Sequence, residues 1–481
     1  MINDASGSKP ALDVAIIGGG LAGLTCALAL GDRGLNVAVF EASARLCGRA
    51  QSWIDAARGD SIDLGPHIFL TQYRNTLSLL ERLGTRDRIV WETDRLIRLR
   101  EGRDITDMSL QPFPPPLHLA PSMAKVRAVS WRDKFSNRKV LQLAMHIDES
   151  MVERLDSMTA IDMLRQAGVT PRFIQWFWVT VCLTVLNVPL ERCSAGALLR
   201  IFAQLIGRKS YRIGFAACGL GELFVPEACR QIEARGGRVY VRAPVQEIAC
   251  RDSKIQYLVM QDGSRIEATH YICAVPPREL FELLPLSVRD EEPFRHLPSF
   301  EPSPYISSYL WFDRKLSDEK FWAFIHDEAH LNSDFYDLSN IRHGWRDRSS
   351  VIASNIIFSH GAHSFSDEEI VRRTHAEIAE ALPTARDARI QHAVVNRIPM
   401  AVPCPNPGSE RIRPETVTPI KDLLLAGDWT RTHLPACMES AVYSGLTAAE
   451  VVLQEVGQPA QLTLPVKQLD GLVRAVNSGT T

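Results

Sequence analysis

A glycine-rich turn between an apolar strand and a helix carries the clearest chemical pattern in the chain. Within residues 13–49, Gly18, Gly20 and Gly23 satisfy the spacing G-x-G-x-x-G at the start of a predicted helix. These glycines permit a tight turn, the close approach of a pyrophosphate and close packing of the helix, whose N-terminus attracts phosphate. Glu41 ends the second strand 18 residues after Gly23, where a carboxylate can accept hydrogen bonds from ribose hydroxyls. The residues predicted to contact a dinucleotide are Gly18, Gly20, Leu21, Ala22, Gly23, Glu41 and Ala42.

An arginine-containing loop follows the predicted ribose-binding acid. Arg49 can make charge-assisted hydrogen bonds to a pyrophosphate or to Glu41. Residues 41–49, EASARLCGR, resemble the E-A-x-x-R-x-G-G-R segment of the amine oxidase and phytoene desaturase superfamily. Cys47 stands where the first glycine of that pair is usual, which indicates a less tight turn. The resemblance implies that the dinucleotide is FAD, whereas the glycine turn alone leaves NAD and FAD equally open.

A second segment is similar to another flavin motif of the same superfamily. Residues 62–69, IDLGPHIF, resemble a D-x-G-x-H segment whose backbone runs along the flavin. The resemblance implies cofactor contacts from Gly65, Pro66 and His67, and glycine at position 65 permits close backbone approach. His67 is also the candidate proton donor for catalysis.

The C-terminal part of the chain resembles the third flavin segment. A predicted buried strand ends at Gly427 and Asp428, and a helix begins near Met438. The resemblance implies that Asp428 holds the ribityl or phosphate side of FAD. It also implies that the helix N-terminus at Met438 favours negative charge on the reduced flavin. Val245 matches the family position whose backbone contacts the adenine.

Two apolar stretches lie between the flavin segments. Residues 109–133 contain five prolines among large apolar side chains, so regular structure is not expected there. This stretch is typical of a hydrophobic lip at a substrate mouth or a membrane surface. Residues 172–187, RFIQWFWVTVCLTVLN, predict a buried helix that lines an apolar tunnel or belongs to the core. Both stretches resemble the substrate domain of squalene-associated desaturases, and the predicted pocket residues are Trp176, Phe177, Trp178 and Asn187.

The resemblance extends over residues 13–453 and implies a discontinuous organisation, which the flavin segments at both ends of the chain fit. The predicted fold class is α/β: a Rossmann-type FAD-binding domain of the amine-oxidase (GR2) type with an inserted α+β substrate domain. The FAD domain is predicted at residues 11–105, 228–290 and 420–455. The substrate domain is predicted at 106–227 and 291–419, with tails at 1–10 and 456–481.

Composition narrows the classes of function. The 481 residues are 46% hydrophobic with a formal net charge of −2, so no nucleic-acid partner is expected. No apolar run is long enough to predict a membrane-spanning helix. The ten cysteines form no C-x-x-C pair, no metal-ligand spacing is present, and there is no secretory signal. We therefore expect no metal site and a cytoplasmic protein, with peripheral contact at the inner face of the membrane left open.

The resemblance to squalene-associated desaturases, also called hydroxysqualene dehydroxylases, implies action on a lipophilic isoprenoid. Its expected reaction is replacement of the allylic hydroxyl of hydroxysqualene by hydride from reduced FAD, which gives squalene. A phytoene-type desaturase is the alternative, with electrons passing to a quinone or oxygen. An amine oxidase is a third reading that requires an aromatic cage and a lysine near the flavin, and no such lysine is identified. A fourth alternative is a flavin-bound binding or regulatory protein without turnover. The identity of the electron donor or acceptor is left open.

Overall fold

A parallel sheet built from distant parts of the chain carries the glycine turn. The computed structural model describes residues 12–102, 104–466 and 469–473. Each of the three central strands is fully buried, as expected for a parallel sheet covered on both faces. In sheet order the five strands are Arg238–Tyr240, Val37–Phe40, Val14–Ile17, His270–Cys273 and Leu423–Leu425.

A seven-stranded sheet forms the scaffold of the second half of the molecule. Neighbouring strands are antiparallel except for one parallel pair, between Phe321–Phe324 and Ile97–Glu101. Its strands in order are Ile390–Pro403, Pro302–Phe312, Val351–Ile356, Asp334–Asp337, Phe321–Phe324, Ile97–Glu101 and Asp104–Met108.

Three smaller sheets complete the β-structure of the described residues. An antiparallel sheet comprises Val245–Arg251, Lys254–Met260 and Arg265–Ile266. A two-stranded ribbon comprises Ser52–Ile54 and Ser61–Asp63, and a further sheet contains Phe69–Leu70, Ile213–Ala216 and Ile89–Trp91.

Helices cover both sheets and enclose the space between them. The α-helices are Leu21–Gly31, Arg74–Arg82, Ala120–Lys125, Trp131–Ser136, Arg138–Met145, Glu149–Leu155, Ala160–Gln166, Pro171–Phe173, Ala195–Ile206, Val225–Ala234, Pro277–Leu283, Leu286–Arg289, Leu338–Ile341, Asp367–Ala381, Ser409–Ile412 and Met438–Glu455. Two π-helical segments, Ile174–Val179 and Cys182–Leu186, follow Pro171–Phe173. The 3₁₀ turns are Gly48–Ala50, Arg86–Arg88, Leu117–Leu119, Leu220–Leu223, Phe294–Ser299, Ser359–Ala362 and Pro383–Ala385.

Two helices from opposite ends of the chain pack together on one face of the parallel sheet. We call Leu21–Gly31 the N-terminal helix and Met438–Glu455 the C-terminal helix. They share one apolar core with the sheet, and a Cβ atom added to Gly445 would lie 2.3 Å from the carbonyl oxygen of Ala22. The absence of a side chain at Gly445 therefore lets the two helix backbones touch.

The structure corrects several sequence expectations. The strand Ile97–Glu101 lies within the predicted FAD segment 11–105 but pairs with Phe321–Phe324 of the seven-stranded sheet. The proline-rich stretch 109–133 contains the helix Ala120–Lys125 and the start of another, because its prolines precede the helices or occupy their first turn. The prolines of residues 397–403 likewise do not interrupt the strand Ile390–Pro403.

No helix among the described residues combines the length and the apolar character that a membrane span needs. The predicted N-terminal tail, residues 1–10, lies outside the described residues. Within the predicted C-terminal tail, residues 456–466 and 469–473 are described, and the carbonyl of Leu464 accepts a hydrogen bond from Asn75 Nδ2 at 3.0 Å.

Candidate active site

A cavity of about 1200 Å³ extends from the glycine turn to the proline-rich stretch. Its volume exceeds the roughly 300–1,000 Å³ of a typical small-molecule pocket. One end is lined by backbone and polar groups around Gly18, Gly20 and Glu41, and the other by large apolar side chains. We call these the cofactor end and the apolar end. The cavity is thus large enough for a dinucleotide and a second molecule.

The glycine turn shapes the cofactor end as its sequence predicts. A Cβ at Gly20 would meet no atom within 4 Å, so this corner stays open to a pyrophosphate. A Cβ at Gly23 would lie 2.0 Å from the carbonyl oxygen of Gly18, which explains why the helix needs glycine there. Gly23 is therefore buried against the turn and does not itself line the cavity. The N-terminal helix begins without a side-chain cap, so its first N–H groups remain free for a ligand.

Glu41 lies where the ribose-binding acid was predicted. Its carboxylate accepts hydrogen bonds from the backbone N–H groups of Gly19 and Ser43, both at 2.8 Å. Val245, predicted to contact the adenine, does not line the cavity; its side chain packs on the core beyond the parallel sheet. The backbone just before it, at Ala243, donates a hydrogen bond to the carbonyl oxygen of Glu41 at 2.9 Å. The segment 243–245 therefore stabilises the position of Glu41 through its backbone.

Cys47 keeps the tight turn that its substitution for glycine was expected to loosen. Its φ of 76° lies in the left-handed region, which costs a non-glycine residue about 1–2 kcal/mol. Its backbone N–H donates to Gly19 at 2.8 Å, and a 3₁₀ turn follows at Gly48–Ala50. The thiol is buried and burial raises its pKa.

An ion pair closes the cofactor end from the side of the C-terminal segment. Arg49 donates from Nη2 to Asp428 Oδ1 at 2.6 Å and from Nη1 to the carbonyl of Ala401 at 2.9 Å. Burial lowers the pKa of Arg49, but the Asp428 carboxylate outweighs burial and the net shift is upward. Arg413, which the sequence did not single out, donates to the carbonyls of Asp428 and Thr430 and so fixes this loop.

The C-terminal helix presents its N-terminus to the same cavity. Cys437 and Met438 line the cavity, and no side chain caps this helix. Burial raises the pKa of Cys437 to about 12, so its thiol stays protonated near neutral pH. Glu439 turns away from the cavity and accepts four hydrogen bonds of 2.8–2.9 Å from Asn75 and Thr76. This buried carboxylate anchors the helix start to the helix Arg74–Arg82.

Gly65, Pro66 and His67 line the cavity between its two ends. A Cβ at Gly65 would lie 2.7 Å from Ser307 Oγ, so the glycine is required by the seven-stranded sheet behind it. His67 Nδ1 lies 2.8 Å from the carbonyl oxygen of Gly65. Burial lowers the pKa of His67, so the imidazole is neutral near pH 7. A neutral imidazole whose Nδ1–H is already donated is a weak acid, which disfavours His67 as the proton donor.

Aromatic side chains line the apolar end. Trp176 and Phe177 face the cavity from the first π-helical segment, and Phe173 faces it from the short helix before that segment. Asn187 ends the second π-helical segment with a φ of 65°. Trp178 was predicted to line the pocket, but it does not. It is fully buried in the core, where its Nε1 donates to Asn137 Oδ1 at 2.9 Å. Trp178 points away from the cavity that Phe177 lines because successive side chains of a helix point in different directions.

A set of polar residues also occurs in this otherwise apolar region, and no sequence motif predicted it. We call Tyr305, Ser307, Asp334, Tyr336 and Asn355 the polar cluster. Asn355 Nδ2 donates to Asp334 Oδ1 at 3.0 Å, and Ser307 Oγ donates to Asn355 Oδ1 at 2.7 Å. The buried hydroxyl of Tyr305 has no hydrogen-bond partner within the described residues. All members except Ser307 line the cavity.

The cavity opens to solvent between exposed apolar side chains. Leu117, Trp131 and Phe135 line it and are 49%, 60% and 65% exposed. We call these three residues the entrance. The proline-rich stretch therefore forms the lip of the cavity.

The residues at the cofactor end fit FAD. Gly20 leaves space for a pyrophosphate, Glu41 supplies a carboxylate for a ribose, and two uncapped helix N-termini meet there. The fold and the site together define an FAD-dependent oxidoreductase of mixed α/β architecture.

The chain belongs to the flavin-containing amine oxidoreductase family, whose sequence pattern matches residues 21–453. It is 28% identical over 456 residues to a 15-cis-phytoene desaturase of Synechococcus elongatus, covering 92% of this chain and 95% of the relative. It is 24% identical over 474 residues to a probable zeta-carotene desaturase of the same organism, covering 92% and 98%. A solved putrescine oxidase variant superimposes with a TM-score of 0.73 at 18% identity, covering 92% of this chain and 99% of that one. That likeness concerns the fold.

Proposed function

We propose that the protein is a reductive isoprenoid oxidoreductase that converts hydroxysqualene to squalene. The observation that carries this proposal is the polar cluster inside the apolar end of the cavity. A hydrocarbon substrate would leave the hydroxyl of Tyr305 unpaired in a dry site, which is unfavourable. A long isoprenoid with one hydroxyl group would satisfy both the apolar walls and this polar group.

The residues of the chain divide the work between the two ends of the cavity. Bound FAD would supply the hydride in its reduced form. Glu41, Arg49 and the two helix N-termini would hold that cofactor, and the uncapped helix at Met438 would favour its negative charge. Trp176 and Phe177 would pack on the isoprenoid chain and exclude water, while Tyr305 and Asn355 would orient the hydroxyl.

Desaturation of a carotenoid precursor is the second candidate. The near full-length similarity to a 15-cis-phytoene desaturase favours it, and the apolar cavity suits such a substrate equally well. The difference is the direction of hydride transfer, since a desaturase needs oxidised flavin and an electron acceptor.

An anaerobic reaction separates the two candidates. Photoreduced enzyme is incubated with hydroxysqualene, and the lipid extract is analysed by mass spectrometry. We expect one squalene per flavin oxidised. Absence of squalene, together with new double bonds in phytoene when oxidised enzyme and a quinone are supplied, would establish the desaturase instead.

We also propose that the entrance rests on a membrane surface from which the substrate is drawn. Six lysines and arginines occur between residues 109 and 147 with Asp133 as the single acidic residue. The apolar side chains Trp131 and Phe135 stand exposed among them, with Lys134 Nζ 4.6 Å from the centroid of the Trp131 ring. Exposed aromatic residues flanked by cations are typical of segments that lie in the interface of an anionic bilayer.

A further inference from the structure

Asp334 is a carboxyl group enclosed in the apolar end of the cavity. It begins the strand Asp334–Asp337, is 4% exposed and lines the cavity. Asn355 donates to it at 3.0 Å, and the hydroxyl of Tyr336 also bonds to the carboxyl. The phenol of Tyr305 lies close enough for the Asp334 charge to affect its pKa. Asp334 thus sits among neutral hydrogen-bonding groups from three neighbouring strands.

The surroundings of Asp334 keep most of it protonated below about pH 7. Burial raises its pKa to about 7, although the hydrogen bonds from Asn355 and Tyr336 oppose the rise. No cation among the described residues contributes to the shift. A carboxyl group with such a raised pKa resembles the carboxylic acids that donate protons near neutral pH in other enzymes.

The polar cluster connects Asp334 to the flavin-binding segment. Asn355 accepts from Ser307 at 2.7 Å, and Ser307 lies directly against Gly65. The residues that follow Gly65 line the cavity between its two ends. A substrate hydroxyl that contacts Asp334 would therefore lie on the side of the apolar end that faces the cofactor end.

We infer that Asp334 is the proton donor that allows the substrate hydroxyl to leave, an inference that rests on the proposed dehydroxylation. The hydroxyl oxygen takes the Asp334 proton and departs as water, as its bond to the allylic carbon breaks. Reduced FAD, when bound, would supply the hydride and its electron pair for the new C–H bond at that carbon. Asp334, left as a carboxylate, recovers a proton from solvent. Tyr305 and Asn355 hold the oxygen during the transfer.

The test compares Asp334→Asn with the wild type in the anaerobic reaction, with oxidation of bound flavin followed by absorbance. We expect the variant to form squalene about 100-fold or more slowly, the usual loss for a general acid. The wild-type rate should fall tenfold per pH unit above about pH 7, and the variant should lose this dependence. Asp334→Glu, which retains an acid, should recover part of the rate. Asp337→Asn is the matched control, because Asp337 is buried on the same strand but does not line the cavity.

Two measurements do not depend on turnover. Infrared difference spectra of the wild type should show, at pH 6, a protonated carboxyl band that Asp334→Asn lacks and Asp337→Asn keeps, because burial also raises the pKa of Asp337, to about 6. Quenching of tryptophan fluorescence by hydroxysqualene in the oxidised enzyme should give dissociation constants within about threefold for wild type and variant. If Asp334→Asn does not fold, Asp334→Glu and the wild-type spectrum carry the test.

The outcomes distinguish this inference from the proposed function. A wild type that forms squalene while Asp334→Asn matches it in rate and pH profile would overturn the role of Asp334 alone. Absence of the carboxyl band from the wild type at pH 6 would also overturn it. A wild type that forms no squalene would overturn the proposed function and, with it, the inference.

Discussion

Arg49 and Asp428 form an ion pair across 379 positions of sequence at the cofactor end of the cavity. Asp428 is almost fully buried, and Arg49 pairs with its carboxylate. Arg49→Ala should cost about 1–3 kcal/mol of stability, because the carboxylate is left without its donor. It should also weaken FAD binding at least tenfold. Thermal unfolding of the apoprotein and titration with FAD fluorescence measure the two effects.

Arg45→Ala is the control for Arg49. Arg45 is exposed in the same loop, and its guanidinium lies over the ring of Trp53 at 4.9 Å from the centroid. Its removal should change FAD affinity less than threefold. Equal losses in the two variants would show that the loop needs positive charge in general and not this ion pair.

Asp334 makes the stability of the fold depend on pH. Its pKa is about 7 in the folded protein against a reference value of 3.8, so the folded state holds a proton that the unfolded state has lost between these values. Stability should therefore fall as pH rises from 5 to 8, by on the order of 2 kcal/mol from this group. Asp334→Asn should remove that part of the slope in thermal unfolding, whereas the exposed Asp104→Asn should not. A slope that is unchanged in Asp334→Asn would contradict the raised pKa.

At the residue scale, features formed within one short stretch of chain could be predicted from the sequence, and features formed between distant stretches could not. The spacing of Gly18, Gly20 and Gly23 and the acid at Glu41 are set within one strand–helix–strand unit, so their positions followed from the sequence. Asp334 carries no motif, and its raised pKa comes from burial between strands that are distant in sequence. For the same reason Arg413, whose partners are carbonyls of a later loop, escaped prediction.

At the scale of elements, the cofactor end depends on the contact between the N-terminal and C-terminal helices. A side chain at Gly445 would clash with the Ala22 carbonyl at 2.3 Å, and that backbone atom belongs to the first turn of the N-terminal helix. Gly445→Ala should therefore push the helices apart, with a loss of about 1–3 kcal/mol and weaker FAD binding. Gly361→Ala, where a Cβ would meet no atom within 4 Å, should be close to neutral. Equal thermal stability of the two variants would contradict this packing.

Elements that carry a local sequence pattern can be located from the sequence, whereas strands that form by pairing with distant segments cannot. The helix Asp367–Ala381 has acidic residues in its first turn, a pattern that is local in the sequence and favours a helix start there. Residues 397–403 contain two prolines, yet they form the end of a strand. They do so because Pro302–Phe312 supplies hydrogen bonds along one edge only, which an edge strand with prolines tolerates.

At the scale of the whole molecule, one cavity links a polar cofactor end to an exposed apolar entrance. The parallel sheet builds the first and the helices of residues 120–206 build the second, so the chain must cross between them several times. This interleaving explains why the flavin segments could be recognised from their motifs, whereas the sheet that the strand Ile97–Glu101 joins could not. The strand Ile97–Glu101 has no feature of its own that reveals its partner.

The position of the entrance leads to a prediction about membranes. Trp131 and Phe135 occupy one short helix at the mouth of the cavity, and exposed arginines and lysines flank it. Replacing both with serine should reduce cosedimentation with anionic vesicles at least fivefold, because insertion of two aromatic side chains is lost. Raising the salt concentration should weaken the binding of the wild type, since cations contribute. Leu286→Ser is the control, because Leu286 is 78% exposed but remote from the cavity lining. If the double variant and Leu286→Ser bind vesicles equally, the entrance does not contact the membrane, and the substrate must reach it through water or from a carrier protein.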